Sequence, residues 1–484
     1  MRHQKQKILK TFNQMRKLLY STLFLSMMAF VFSSCKKDET TPTNPTATLI
    51  TEGTDAATSR ASVSYKDQGE GTGTTTWTKD KVYILDGLVF VNDGQTLTIE
   101  AGTVIKGKPG EAANASALVV ARGGKIQAVG TATEPIIFTA ESDKLDGSLG
   151  TQNGLWGGLI VLGKAGLNSG QGQSAVEGIP DTETRGLYGG TIDTDNSGTL
   201  KYVSIRHGGT NIGANNEING LTLGGVGSGT TIDYVEVFAN QDDGIEFFGG
   251  TVSVTHAVVS HCGDDNIDYD EGYRGENNQF FLIYQATAAG DRGGEHDGGT
   301  SPEDGTPYAT PKFYNITYVG NGSKRALTFR DNAGGKYYNS IFFNWDKGID
   351  IEYIKDGESS KKRFDAKDLL LENNTFSNIT AGTTADKLLV PNYVKDDNDV
   401  IVADKYPAEA DRNAFVASLN SYFATAGNTY EANAITRANV VPANNNTAVS
   451  TGAPTAAAYR GAFAAGQTPW YNTWTALAAQ NLVQ

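Results

Sequence analysis

An all-β solenoid is predicted by three features of this 484-residue sequence. Short runs rich in Val, Ile, Tyr and Phe are punctuated by Asn and Gly, and Gly is abundant at 57 residues, where an average chain of this length has ~34. Helical periodicity is largely absent from Trp77 until near residue 406. Finally, a unit recurs. The stretches TIDYVEVFANQDDGIEFFGG (231–250), VSVTHAVVSHCGDDNIDYDEG (252–272), KFYNITYVGNGSKRALTFRD (312–331) and KYYNSIFFNWDKGIDIE (336–352) each hold an apolar strand, an Asn/Gly/Asp turn and a second strand. Asp242 to Asp264 is 22 residues, and Lys324 to Asp346 is 22 again. Two short strands with their turns in one such unit make one coil of a parallel β-helix, whose coils stack about 4.8 Å apart.

The chain opens with basic residues (Arg2, Lys5, Lys7, Lys10, Arg16, Lys17) followed by the apolar run LLYSTLFLSMMAFVF and then FSSC. The run is short for a transmembrane helix. With small residues directly before Cys35, it resembles a bacterial lipoprotein signal over residues 1–34, with Cys35 lipidated as the mature N-terminus. The following KKDE resembles the export signal that sends lipoproteins of Bacteroidota to the outer face of the outer membrane. A lipid anchor in that membrane, facing the cell exterior, is therefore expected. Residues 35–76, rich in Thr, Asp, Gly, Ala and Ser, read as a flexible tether. Beyond residue 34 the chain carries 34 basic and 54 acidic residues, a net charge of −20, which argues against nucleic acid as a partner. Only Cys262 remains besides Cys35, so no intramolecular disulfide is expected in the mature fold.

The β-helix is expected over 77–380. ADRNAFVASLNSYFATA (410–426) reads as an amphipathic helix, so 381–484 is expected to be a partly helical C-terminal cap, since a solenoid must cover its open end. The opening TLTIEAGTVIKG, the stretch ALVVARGGKIQAVGTATEPIIFTAE, the run GTLKYVSIRHGG (198–209) and the ending YRGAFAAGQTPWYNTW (459–474) resemble the right-handed parallel β-helix proteins of Bacteroidota. Right-handedness is what that resemblance implies, in line with the general rule for parallel crossovers.

Aligning the second strands of the units sets Ile245, Ile267, Leu327 and Ile349 in one column and Phe247, Tyr269, Phe329 and Ile351 in another, both pointing inward. The strand period of two then turns the intervening residues outward. One outward column is Glu246, Asp268, Thr328, Asp350, and a second is Phe248, Asp270, Arg330, Glu352. At the preceding turn stand Asp242, Asp264, Lys324 and Asp346, with Asp243 and Asp265 beside the first two. DRGGEHD (291–297) fits between, adding Asp291, Arg292, Glu295 and Asp297 while placing Gly294 and His296 in inward slots.

Stacked carboxylates repel by a few tenths of a kcal/mol per exposed pair, and three readings follow. They form a solvated acidic face, or a cation site that suits Ca²⁺ through Asp242, Glu246, Asp264 and Asp268, or a glycan-binding or catalytic groove. Candidate ligand-binding residues are Asp242, Asp243, Glu246, Asp264, Asp265, Asp268, Asp270, Arg274, Arg292, Glu295, His296, Asp297 and Arg330. Pectate-lyase-like enzymes pair acidic Ca²⁺ ligands with a Lys or Arg base, and Arg274, Arg292, Lys324, Arg325 and Arg330 are available. Polygalacturonase-like enzymes place a Gly-His-Gly and an Arg-x-Lys after an Asp pair. Here RHGG (206–209) precedes Asp264–Asp265 and no Arg-x-Lys follows, which counts against a glycosidase. DTDNSG (193–198) has Ser204 where an EF-hand needs its bidentate Glu, and reads as a turn. Tyr273, Tyr284, Tyr308 and Trp345 are candidates for stacking on sugar rings. The expectation is a monomeric, surface-anchored β-helix lipoprotein that binds a glycan or another surface or transport component without catalysis. A Ca²⁺-assisted polysaccharide lyase or glycoside hydrolase, and a structural or adhesive surface protein, are the alternatives.

Overall fold

The computed structural model describes residues 48–484 except 177–178, 180–181, 214–215, 300, 396–399, 446, 450 and 484. The expected signal, Cys35 and the start of the tether lie outside the described residues.

The chain winds as a parallel β-helix. Ten strands stack into one parallel sheet, running from Leu88–Val91 through Ala117–Val120, Leu159–Leu162, Leu221–Gly224, Ile245–Phe248, Ile267–Asp270, Gly294–Asp297, Arg325–Arg330 and Lys347–Glu352 to Leu389–Asn392. We call it the site face. A 19-stranded sheet supplies the rest of the wall. It is folded along a line, because Gly198–Arg206 pairs with Lys125–Val129 through its first half and with Ile136–Ala140 through its second. At the fold line stands one residue per coil with positive φ: Tyr202, Tyr234, His256, Phe280, Asn315, Asn339 and Asn373, at 49° to 61°. Left-handed backbone turns the strand sharply without breaking the ladder, and Asn tolerates it best of these residues.

The expected register holds. Ile245 pairs with Ile267, Glu246 with Asp268 and Phe247 with Tyr269, while Leu327 pairs with Ile349 and Thr328 with Asp350. The inward residues of these columns are fully buried. Gly294–Asp297 is the intervening strand, with Glu295 set between Asp268 and Thr328. Inside the solenoid, rings stack coil on coil, as in Tyr318 on Phe342 at 4.8 Å and Phe342 on Phe376 at 5.2 Å.

Two boundaries differ from expectation. The tether does not extend to residue 76: Leu49–Thr54 forms an antiparallel hairpin with Ala61–Lys66, and the latter joins the solenoid beside Lys81–Leu85. Thr- and Ser-rich composition hid a period-two pattern in which Val63, Tyr65 and Trp77 point into the core. A buried ion pair at 2.8 Å, from Lys106 Nζ to Asp55 Oδ1, pins this hairpin.

The C-terminal segment is more than an end cap. The helix Glu409–Thr425 does close the last coil, burying Phe415 and Leu419 against the core. From about residue 431, however, the chain returns along the outside as a lateral strap. Ile435, Phe463, Tyr471 and Leu477 cover an apolar outer surface made by Phe238, Val258, Leu282, Val319 and Ile341. The fold line reads the strap's backbone: Asn315 donates to Tyr459 O at 2.7 Å, Asn339 to Val449 O at 3.1 Å and Asn373 to Thr447 O at 3.2 Å. Where the column turns aromatic, Trp470 and Trp474 meet His256 and Tyr202 edge-on.

Fully buried Glu236 fastens the far end, accepting from the backbone N–H groups of Ala476 and Leu477 at 2.8 and 3.0 Å. Glu236→Ala leaves both donors without a partner and is expected to cost about 3 kcal/mol. Glu236→Gln, which keeps one acceptor oxygen, should cost about half as much. Urea unfolding of the two variants measures the difference.

Candidate functional site

The outward side chains of the site face form two adjacent columns. The first runs Thr222, Glu246, Asp268, Glu295, Thr328, Asp350. The second runs Phe248, Asp270, Asp297, Arg330, Glu352. Two hairpins wall this surface. One pairs Ser174–Ala175 with Leu187–Tyr188 and lays Tyr188 against Phe248, 5.9 Å between ring centres. The other pairs Asn211–Gly213 with Asn216–Glu217 and leads to Asn219, whose amide donates to Glu246 Oε2.

The repeated Asp–Asp motif divides its labour. Asp242 and Asp264 hold the turn's outer edge, and Asp264 is exposed. Asp243 and Asp265 are buried and serve the backbone: Asp243 Oδ1 accepts the N–H of Asp265 at 2.9 Å, and Asp265 Oδ1 accepts the N–H of Arg292. Each second aspartate thus caps the same slot one coil further on. The sign of charge in that slot then reverses, since Arg292 and Arg325 follow Asp265. Arg292 lies 3.4 Å from Asp265, 2.8 Å from Asp291 and 2.9 Å from Glu295.

The face is therefore electrically divided. At Asp243, Glu246 and Asp268 the carboxyls crowd one another, and Asp268 Oδ1 is buried without a hydrogen-bond partner. Burial first, and neighbouring carboxylates second, push all three well above the ordinary carboxylate range. Further along, Arg330 grips Asp297 through two bonds of 2.6 and 3.0 Å and lies 2.9 Å from Glu295. Burial opposes charge on Arg330, but Asp297 and Glu295 outweigh it and hold the guanidinium above its usual value. Glu295, raised by burial and lowered by Arg330 and Arg292, settles at about 7.

The four residues expected to bind metal do not converge as one group among the described residues. Asp242 and Asp264 come together with Asp243, and Glu246 and Asp268 come together with Asp243, each trio within 4.8 Å. Two candidates are elsewhere. His296 lies in the core, stacked on Tyr269 at 4.2 Å with Nε2 2.6 Å from the Tyr337 hydroxyl. It fits because Gly294 offers no side chain; a Cβ there would meet the imidazole at 2.6 Å. Burial lowers its pKa to about 3, so it is neutral and out of reach of the face. Arg274 is engaged by Asp193 at 2.6 Å and by the carbonyls of Gly166 and Gly272. Of the expected sugar-stacking rings, Tyr273, Tyr284 and Trp345 are buried packing residues, and Tyr308 is covered by the Arg363 guanidinium at 3.7 Å.

Glu217, Asn219 and Glu271 were not legible as site residues. The first two arrive on a hairpin outside the repeat. Glu271 follows the second column, and burial raises it to about 7, with the Tyr188 hydroxyl partly offsetting.

These shifts fix the sign of a pH effect. Carboxyls raised on folding bind protons more tightly in the native state, so their stabilisation is fullest below the unfolded pKa and is lost as pH rises through the folded value. Glu271 and Glu295 near 7 and Glu352 near 8 place the loss on the alkaline side. The melting temperature of chelator-treated protein should fall between about pH 6.5 and 8.5, a window above the ordinary titration of histidine. Glu352→Gln should flatten that slope; an unchanged slope would remove Glu352 as a contributor.

Comparison with known proteins agrees with this architecture. The chain matches no curated protein and no solved structure. A family described as pectate-lyase like beta helix domain matches residues 69–436, which takes in every strand of the site face and leaves the strap from residue 437 outside the match. With the matched span covering most of the chain, this protein belongs to the pectate-lyase-like β-helix domain family.

Proposed function

We propose that this protein is a surface-held lipoprotein, anchored through Cys35, whose acidic face binds a hydroxyl-rich glycan without turning it over. The supporting observation is the state of the basic residues along the columns. Arg292 and Arg330 are held by Asp265, Asp291, Glu295 and Asp297, Lys324 by Asp291 at 3.0 Å, and Arg325 by Asp350 at 2.9 Å. The carboxylates also hold Arg292 above its usual pKa against the opposing effect of burial. A guanidinium so held is a poor base for proton abstraction. It serves instead to fix the carboxylates, which accept paired hydrogen bonds from vicinal hydroxyls. The exposed turn carboxylate Asp264 and the half-buried Glu246, Asp268 and Asp270 supply the acceptors.

A second reading has its own support. Basic residues face carboxylates at hydrogen-bond range in this family's fold, and Glu295 near pKa 7 can give or take a proton at neutral pH. That arrangement favours a polysaccharide lyase or hydrolase acting at the same face.

One pair of measurements separates the readings. A glycan array probed with the full chain should show retention that Asp268→Asn combined with Asp264→Asn weakens by about tenfold, a loss of roughly 1.4 kcal/mol. Incubation with pectin- and alginate-type uronates should leave the absorbance of unsaturated ends and the count of reducing ends flat. A rise in either signal sinks the non-catalytic reading, and an array without retention sinks binding.

A further inference from the structure

On the first outward column, the strand register sets Glu246 beside Asp268 and Asp268 beside Glu295. Among the described residues, the Lys and Arg side chains of the face pair with Asp265, Asp291, Glu295, Asp297 and Asp350. None pairs with Asp243, Glu246 or Asp268, each of which puts a carboxyl oxygen within 4.8 Å of the others.

A second observation comes from Asn219. It fills the slot of Asp243 one coil earlier, counted two residues back from the paired Leu221 and Ile245. It is 6% exposed. Its NH₂ group donates to Glu246 Oε2, while its carbonyl oxygen, Oδ1, is buried beside that carboxylate with no partner. Asp268 Oδ1 is likewise buried and unpartnered. This end of the face therefore offers acceptors in want of donors, and a buried acceptor left unmet costs free energy that a donor recovers.

We propose that the glycan bound here carries a primary ammonium, the group of an amino sugar that is not acylated, seated among Glu246, Asp268 and Asn219. The inference rests on the reading of the face as a glycan-binding surface and names the class of sugar. An ammonium brings three donors and no acceptor, so each N–H meets an oxygen. It also brings the positive charge that the trio lacks, and charge-assisted bonds of about 2.8 Å let oxygens so spaced share one nitrogen. An N-acetylated sugar has one N–H and no charge, and its carbonyl oxygen faces other acceptors. A uronate sets a fourth carboxylate beside three and is repelled.

Retention of glucosamine oligomers by the full chain tests the assignment, read in chelator beside N-acetylated oligomers of equal length, uronate oligomers and oligolysine. Glucosamine oligomers are expected to bind at least about tenfold more tightly than their acetylated counterparts, with uronates unretained. Glu246→Gln and Asp268→Asn should each weaken them by about tenfold. Burial already pushes both carboxyls up, so neutral isosteres suit the coil and the variants stay folded. Asp365→Asn, exposed on the helix Ser360–Asp365, removes the same charge elsewhere and should change retention by less than about twofold. Equal losses in Asp268→Asn and Asp365→Asn reduce the effect to attraction by net negative charge and overturn the assignment. Retention that needs added Ca²⁺, or tighter binding of oligolysine than of glucosamine oligomers, overturns it as well. Acetylated or uronate oligomers bound as tightly as glucosamine overturn the ammonium while leaving glycan binding intact. No glycan retained at all removes the glycan reading itself.

Discussion

Everything in this molecule depends on the parallel ladder that holds each coil in register on the one before. Adjacent strands lie about 4.8 Å apart and their side chains alternate between the two surfaces. A residue's slot in the coil therefore decides both whether it is buried and which residues it touches. Ile245, Ile267, Leu327 and Ile349 become one continuous core column. The same register places Glu246 directly beside Asp268 and Asp268 beside Glu295. No coil can bury its apolar side alone, so the core and the acidic face are two surfaces of one constraint.

The ladder also explains how like charges are tolerated. The columns are managed by position along the stack. In the slot of Asp243 and Asp265 each carboxylate accepts the next coil's N–H, and Arg292 then occupies the following position. One coil on from Arg292, Arg330 stands beside Asp297 in the second column. The carboxyls crowd one another at Asp243, Glu246 and Asp268, the same place where two insertions rise as walls. The insertions thus rise from an otherwise regular platform of stacked coils.

The strap shows the same logic on the opposite side. A solenoid's outer wall needs no apolar residues for its own sake, yet Phe238, Val258, Leu282 and Ile341 are buried there. The strap is the reason, and the asparagines of the fold line, needed anyway for left-handed backbone, present amides that its backbone can pair with. All of the strap beyond residue 436 lies outside the family match.

The coil, the register and the direction of nearly every side chain in the central repeats are legible in the sequence alone. Those follow from period-two alternation and a 22-residue spacing, both local and countable. It placed His296 correctly in an inward slot, but the type of residue suggested a ligand, and only the space beside Gly294 shows why an imidazole belongs in the core. Tertiary structure decided what falls outside the period. The hairpin 49–66 is hidden by polar composition, the return of the strap is a contact between residues some 240 apart at Glu236 and Ala476, and Glu217 and Asn219 reach Glu246 through an insertion. Repeats write their contacts into spacing. Insertions and long-range docking do not, because their partners are chosen by shape and charge in three dimensions.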